Sequence, residues 1–288
     1  MYKMIEIDGI KIKEEPTGNI ITVKSEKLDL CIDIINRYDI KRINIRDGSY
    51  HYQDIDFLEK CPNVEEVYIR HYNLQDYSGL YSIKNLKILA LDETKSKIDL
   101  NFEKLSTLQT LYVDWQPKMK GLRFLKNLKE LQLFRFSSKN KDLGDLAGLS
   151  QLETLILTHG NIETLKGIEE LKSLKNLQLN YIRGLADIDS IKFLRELEYL
   201  EIQSCKKIKS FECIKELRKL KKLILDKVGD IPSLSFVKNL KYLKHLAFVE
   251  CNVVDGDLSY CQGIEYVYFT QKKHYSHKLK DFNSIISE

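Results

Sequence analysis

The chain predicts a curved α/β solenoid, with a parallel β-sheet on its concave side, short 3-10 or helical turns on its convex side, and a cap at each end. Three observations predict it. The phrase L-x-x-L-x-L, with aliphatic variants, recurs eleven times, its middle residue advancing by 20 to 24 positions and mostly by 22 or 23. Each copy follows further apolar residues at a spacing of three, as in Ile168-Leu171-Leu174 and Leu122-Leu125-Leu128, a period that belongs to a tight turn rather than a strand. In x-L-x-L-x the two aliphatic residues point one way and their neighbours the other, which makes a short half-buried strand that is stable only when stacked on the next.

Residues 1–39 read as an N-terminal cap. The stretch KMIEIDGIKIKEEPTGNIITV alternates like a small β element around a loop at Pro16 to Asn19, and SEKLDLCIDIINRYD follows as a helix with Ser25 as its N-cap and Leu28, Ile32 and Ile35 on one face. Residues 40–270 hold about eleven coils, whose phrases run from Ile40-Ile43-Ile45, Val64-Val67-Ile69 and Leu86-Leu89-Leu91 through Leu152-Leu155-Leu157 to Leu243-Leu246-Phe248 and Ile264-Val267-Phe269. Residues 271–288 form a C-terminal cap or tail, with Leu279, Phe282 and Ile286 spaced for one face of a short helix. An uncapped end coil would expose core leucines to water.

Composition narrows the function classes. The 46 basic and 42 acidic residues nearly cancel at +4, so no anionic membrane or nucleic acid is demanded as partner. No run of 18 apolar residues occurs, the start lacks the apolar core of a signal peptide, and six cysteines stand without a C-x-x-C pair. A cytoplasmic, reducing location is the expectation. Phosphate-binding, zinc-protease, nucleophile-elbow and dinucleotide motifs are absent, and His274 and His277 lack further ligands and fall in a tail expected to be mobile. No catalytic residue, cofactor or metal is expected.

The phrase and its period resemble the leucine-rich-repeat family, in particular its internalin-like and SDS22-like class with repeats of about 22 residues. The best single copy is the stretch in which Leu152, Leu155, Leu157, Ile162, Leu165, Ile168 and Leu171 match the family framework. The resemblance implies a binding solenoid but no particular ligand. One departure stands out. Where the family places Asn or Cys after each strand, this chain has Gly48, Tyr72, Thr94, Gln116, Phe136, Gly160, Ile182, Cys205, Val228 and Cys251, so irregular turns with less regular backbone pairing are expected.

With the leucines assigned to the core, the residues between them face outward. One column reads Asn44, Tyr68, Ala90, Tyr112, Gln132, Ile156, Gln178, Glu201, Ile224, Ala247, Tyr268, and the next begins Arg46, Arg70, Asp92, Asp114, Phe134, Thr158. The position after that adds His71, Trp115, Arg135, His159 and Tyr181. Lys and Glu are scarce in the first two columns, although a merely solvated face is rich in them. The candidate partner-binding residues are therefore Arg46, Tyr68, Arg70, Asp92, Tyr112, Asp114, Trp115, Phe134, Arg135, His159 and Tyr181, since Tyr, Trp and Arg dominate interface hot spots.

The expectation is a non-catalytic protein whose concave aromatic face grips a folded partner protein. By analogy, one such role is a bacterial immunity protein neutralising a toxin. Three alternatives stand beside it: a cryptic enzyme or accessory subunit using His159 with Asp114 or Asp92, a basic convex surface around Lys206 to Lys227 that contacts nucleic acid, and self-association.

Overall fold

Each of the eleven phrases becomes a short strand, because alternation turns two aliphatic side chains inward and leaves the residues around them on the open face of the sheet. The computed structural model describes residues 3–92 and 98–282. They form two compact units, Met1–Leu131 and Gln132–Glu288.

In the first unit, β1 (Lys3–Ile7), β2 (Ile10–Glu15) and β3 (Gly18–Thr22) make an antiparallel meander. Helix α1 (Leu28–Arg37) then returns the chain so that β4 (Arg42–Arg46) lies parallel to β3. The repeat strands β5 (Glu66–Arg70), β6 (Ile88–Asp92) and β7 (Thr110–Asp114) follow in unbroken parallel register, Ile43 beside Val67, Leu89 and Leu111. All four of these side chains are fully buried.

Strand β8 (Glu130–Phe134) straddles the division. The second unit continues with β9 (Thr154–Thr158), β10 (Asn176–Asn180), β11 (Tyr199–Gln203) and β12 (Lys222–Asp226). Then come the short β13 (Asp230–Ile231), β14 (His245–Val249), the short β15 (Asn252–Val253) and β16 (Tyr266–Phe269). Its register aligns Leu155, Leu177, Leu200, Leu223, Leu246 and Val267, every one of them fully buried. Full burial of one such aliphatic side chain contributes about 1.5–3 kcal/mol, and each coil repeats it several times.

The return limbs are 3-10 turns, as the spacing of three predicts. In the coil after β9, Leu171 N–H donates to Ile168 O at 2.9 Å and Leu174 N–H to Leu171 O at 3.1 Å, so each step of three closes one turn. Lysine–glutamate pairs tie equivalent positions of successive coils: Lys87 to Glu65, Lys175 to Glu153, Lys219 to Glu196 and Lys221 to Glu198. These pairs are solvated and add little stability.

The turns after the strands of the second unit overturn the expectation of irregularity. In the second unit, Arg135, His159, Tyr181, Ser204, Lys227 and Glu250 all adopt left-handed backbone, with φ between 49° and 59°. The N–H of each of the first five donates to the last residue of the next strand, as in His159 to Asn180 O and Tyr181 to Gln203 O, both at 2.8 Å. Backbone geometry therefore does what an asparagine ladder would do. Phe136, Ile182, Cys205, Val228 and Cys251 plug the core beneath, and the Cys251 thiol donates to Leu225 O at 3.3 Å and Val249 O at 3.2 Å. Thr94 lies outside the described residues.

Two further expectations change. Ser25 does not cap α1: a 3-10 turn over Ser25–Lys27 precedes the helix, and the Ser25 hydroxyl accepts from His51 N–H at 2.7 Å. The stretch around His274 is anchored rather than mobile. Tyr275 is buried, its hydroxyl accepts from Val253 N–H at 3.1 Å and donates to Cys251 O at 3.3 Å, and its ring meets Phe248 and Phe269 edge-on. A 3-10 turn at Leu279–Asp281 ends the described chain, and Ile286 lies outside it.

Candidate partner-binding face

Five-residue strands carry three outward positions, not two. The first column, Arg42 beside Glu66, Ile88 and Thr110 in the first unit, escapes a reading that starts from the paired leucines. Its signal was alternation carried one step further back.

In the first unit that missing column organises the face. Arg42 is buried, with its Nε on Glu66 Oε2 at 2.6 Å and its Nη1 on Glu15 Oε2 at 2.9 Å and Gly18 O at 3.0 Å. The Tyr68 hydroxyl donates to the same Glu66 oxygen at 2.8 Å. Hydrogen bonds from Lys13 and Arg42 hold the Glu15 carboxyl below its usual range, so the network is ionic at neutral pH. Burial first, and then a hydrogen bond to Glu130, push the Tyr112 hydroxyl above the ordinary tyrosine range, which keeps it a neutral donor.

At the C-terminal ends of β4 to β6 lies a groove of about 470 Å³ lined by Asn44, Arg46, Asp47, Tyr68, Arg70, Tyr72, Ala90 and Asp92. Arg46 and Arg70 are in-register neighbours and both exposed, and Arg70 Nη2 meets Asp92 Oδ2 at 3.4 Å. Other members of the sequence-derived set sit deeper. Asp114 is buried, and Trp115, half-buried, stacks on the fully buried Phe102 with ring centroids 6.4 Å apart. His71 is also buried, its Nε2 on Tyr50 O at 2.7 Å and its Nδ1 accepting from Asn73 N–H at 3.2 Å. The indole thus lends one face to the core, and His71 belongs to the fold.

In the second unit Phe134, His159 and Tyr181 form a continuous aromatic row. Phe134 and His159 meet edge-on at 5.1 Å, His159 and Tyr181 meet tilted at 5.4 Å, and the Arg135 guanidinium lies 5.0 Å over the Phe134 ring. Tyr181 is 43% exposed. Along the first column of this unit the sequence reading also missed Tyr199, Lys222, His245 and Tyr266. His245 stacks on Tyr266 at 4.4 Å, and burial, followed by the nearby Lys222 charge, lowers its pKa.

The chemistry on offer is recognition: rings for stacking, neutral hydroxyls for hydrogen bonds, and guanidinium groups at the strand ends. Among the described residues no cluster of three His, Cys, Asp or Glu side chains could hold a metal ion, and no helix is long and apolar enough to cross a membrane. The ring of His159 lies between two aromatic neighbours. On the reverse side, Lys215, Lys219 and Lys221 pair with Glu212, Glu196 and Glu198, while Lys206, Lys207 and Lys209 are exposed.

No family model matches the sequence, and no curated protein matches it. Solved structures do. An internalin (InlF) from Listeria monocytogenes is 17% identical with a TM-score of 0.65, over 84% of this chain and 70% of that one. A leucine-rich-repeat protein from Leptospira interrogans is 16% identical with a TM-score of 0.54, over 83% of this chain and 68% of that one. At such identities the likeness is one of fold, and the chain has the leucine-rich-repeat fold.

Proposed function

We propose that this leucine-rich-repeat chain is a non-catalytic binding protein that grips a folded partner protein with the open face of its sheet, the contacts coming from the aromatic and arginine residues named above. The observation that carries the reading is the row of left-handed turns. Glycine or asparagine occupies that backbone region at little cost, whereas other residues pay about 1–2 kcal/mol. None of the six turn positions in the second unit holds Gly or Asn; they hold Arg135, His159, Tyr181, Ser204, Lys227 and Glu250. Side chains kept at a standing cost in stability, three of them forming a row with Phe134, fit a surface used for contact.

Six free, buried cysteines suit a reducing compartment, and we place the protein in the cytoplasm on that ground. Glutamates interleaved among the lysines on the reverse side, three of them paired with Lys215, Lys219 and Lys221, favour a protein partner over nucleic acid, whose capture wants clustered cations.

Affinity capture from the source cell with wild type and an H159A/Y181A variant tests the reading, with circular dichroism confirming that both fold. A species retained by wild type should bind the variant about tenfold or more weakly by calorimetry. Equal affinity for both proteins would place the contact elsewhere and defeat the proposal.

A further inference from the structure

We propose that the groove at the ends of β4 to β6 is a carboxylate subsite, in which Arg46 and Arg70 together hold the side chain of an Asp or Glu on the partner. The inference rests on the open-face reading and deepens it by naming the chemistry of one contact.

The register carries the argument. Arg46 and Arg70 occupy directly opposed positions on adjacent parallel strands, where backbones run about 4.8 Å apart. Like charges in that relation oppose folding unless an anion lies between them. The neighbouring acids are committed elsewhere. Asp47 accepts from Tyr72 N–H at 3.1 Å and faces the buried His71 ring at 3.7 Å, while Asp92 pairs with Arg70 from the far side. Arg46 makes no ion pair among the described residues. One guanidinium is therefore free beside a second, both at the mouth of a hollow.

The hollow has the shape for an acidic side chain. Ala90 stands in the column between Tyr68 and Tyr112, and this small residue opens the floor on which an aliphatic stem can lie against the Tyr68 ring. Two planar guanidinium forks match the two oxygens of a carboxylate. The charge balance also selects. Arg46 and Arg70 against Asp47 and Asp92 sum to zero at the rim, so a single negative charge is accommodated, whereas a phosphate dianion or a nucleic-acid backbone meets the two aspartates.

The test needs no partner. Wild type, R46Q and R46K are titrated by NMR with N-acetylglutamate N-methylamide, its glutamine counterpart and inorganic phosphate at matched ionic strength. The readouts are the Arg46 and Arg70 Nε–H signals and the amides of Ile45–Asp47 and Ile69–Tyr72. Saturable shifts with the glutamate probe in the millimolar range, absent with the glutamine probe and at least about tenfold weaker in R46Q, are the expected result. R46K should recover only part of the response, because an ammonium lacks the planar fork. An equal response to the glutamine probe, a stronger response to phosphate, or no shift at about 50 mM glutamate probe overturns the subsite. A silent titration alongside successful capture by the aromatic face refutes only the carboxylate site. A positive titration with capture unaffected by H159A/Y181A refutes only the open-face reading.

Discussion

Replacing Gly160 by alanine probes the turn geometry on which the face depends. Gly160 has φ +129°, and a Cβ there would stand 2.5 Å from Phe136 O. That region of backbone space is nearly reserved for glycine, and strain there amounts to about 1–3 kcal/mol. The obstacle is backbone rather than a flexible side chain. Phe136 is 1% exposed, and its carbonyl accepts from Asn161 N–H at 3.2 Å, so retreat sacrifices a hydrogen bond at about 0.5–1.5 kcal/mol. The expected destabilisation is about 2–4 kcal/mol, read as a shift in the urea midpoint of far-ultraviolet circular dichroism at unchanged slope. Ser204→Gly is the matched control. It relieves a left-handed residue at φ 55°, and the gain of about 1 kcal/mol is offset by about 0.5–1 kcal/mol of added unfolded-chain entropy, leaving little net change. If Gly160→Ala stays within about 0.5 kcal/mol of wild type, or if Ser204→Gly is as damaging, the argument from turn strain fails.

Core and surface should separate in the same assay. Leu155→Ala, at a fully buried framework position, should destabilise by about 2–5 kcal/mol through the cavity it leaves, while Tyr181→Ala should leave the midpoint nearly unchanged; equal losses would contradict the assignment of faces. Burial pushes the Cys213 and Cys261 thiols up to about 12 and those of Cys61, Cys205 and Cys251 up to about 11. The native protein should therefore resist a thiol reagent at pH 8 and release all six thiols only in denaturant. The depressed Glu15 carboxyl stabilises the fold fully above its ordinary value of 4.5, and this contribution is lost as pH falls through its lower folded value. Unfolding of wild type and Glu15→Gln should thus converge in acid and diverge at neutral pH, and parallel pH profiles would refute the network.

The fold was legible because its driving force is written in residue type. A leucine in step with its neighbours a coil away has only the interior to occupy, and Leu155, Leu177 and Leu200 do so. The turn geometry was not legible, because left-handed backbone usually announces itself through Gly or Asn, and here it accompanies the hydrogen bond that the backbone N–H of each of Arg135, His159 and Tyr181 donates to the next strand. The face was legible by half. Arg46, Arg70 and Tyr181 are exposed where alternation puts them, whereas Asp114 and His71 sink below the surface and Trp115 leans on Phe102. Alternation gives direction but not depth. Nor could it show that Arg42 links three separate strands through Glu15, Gly18 and Glu66, since that network depends on which strands become neighbours.

The lysine–glutamate pairs between coils have a consequence for how such an array can lengthen. Along one edge of the second unit the order runs Glu153, Lys175, Glu198, Lys221, with Lys175 salt-bridged to Glu153 and also drawn toward Glu198. Excising the coil of Lys175 would set Glu153 beside Glu198, and excising that of Glu198 would set Lys175 beside Lys221. Each pair is weak, and the order breaks where Lys244 N–H donates to Lys221 O, before Lys244 pairs in turn with Glu265. Between Glu153 and Glu265, an added coil bearing a glutamate would therefore meet a lysine on both sides only between Lys221 and Lys244.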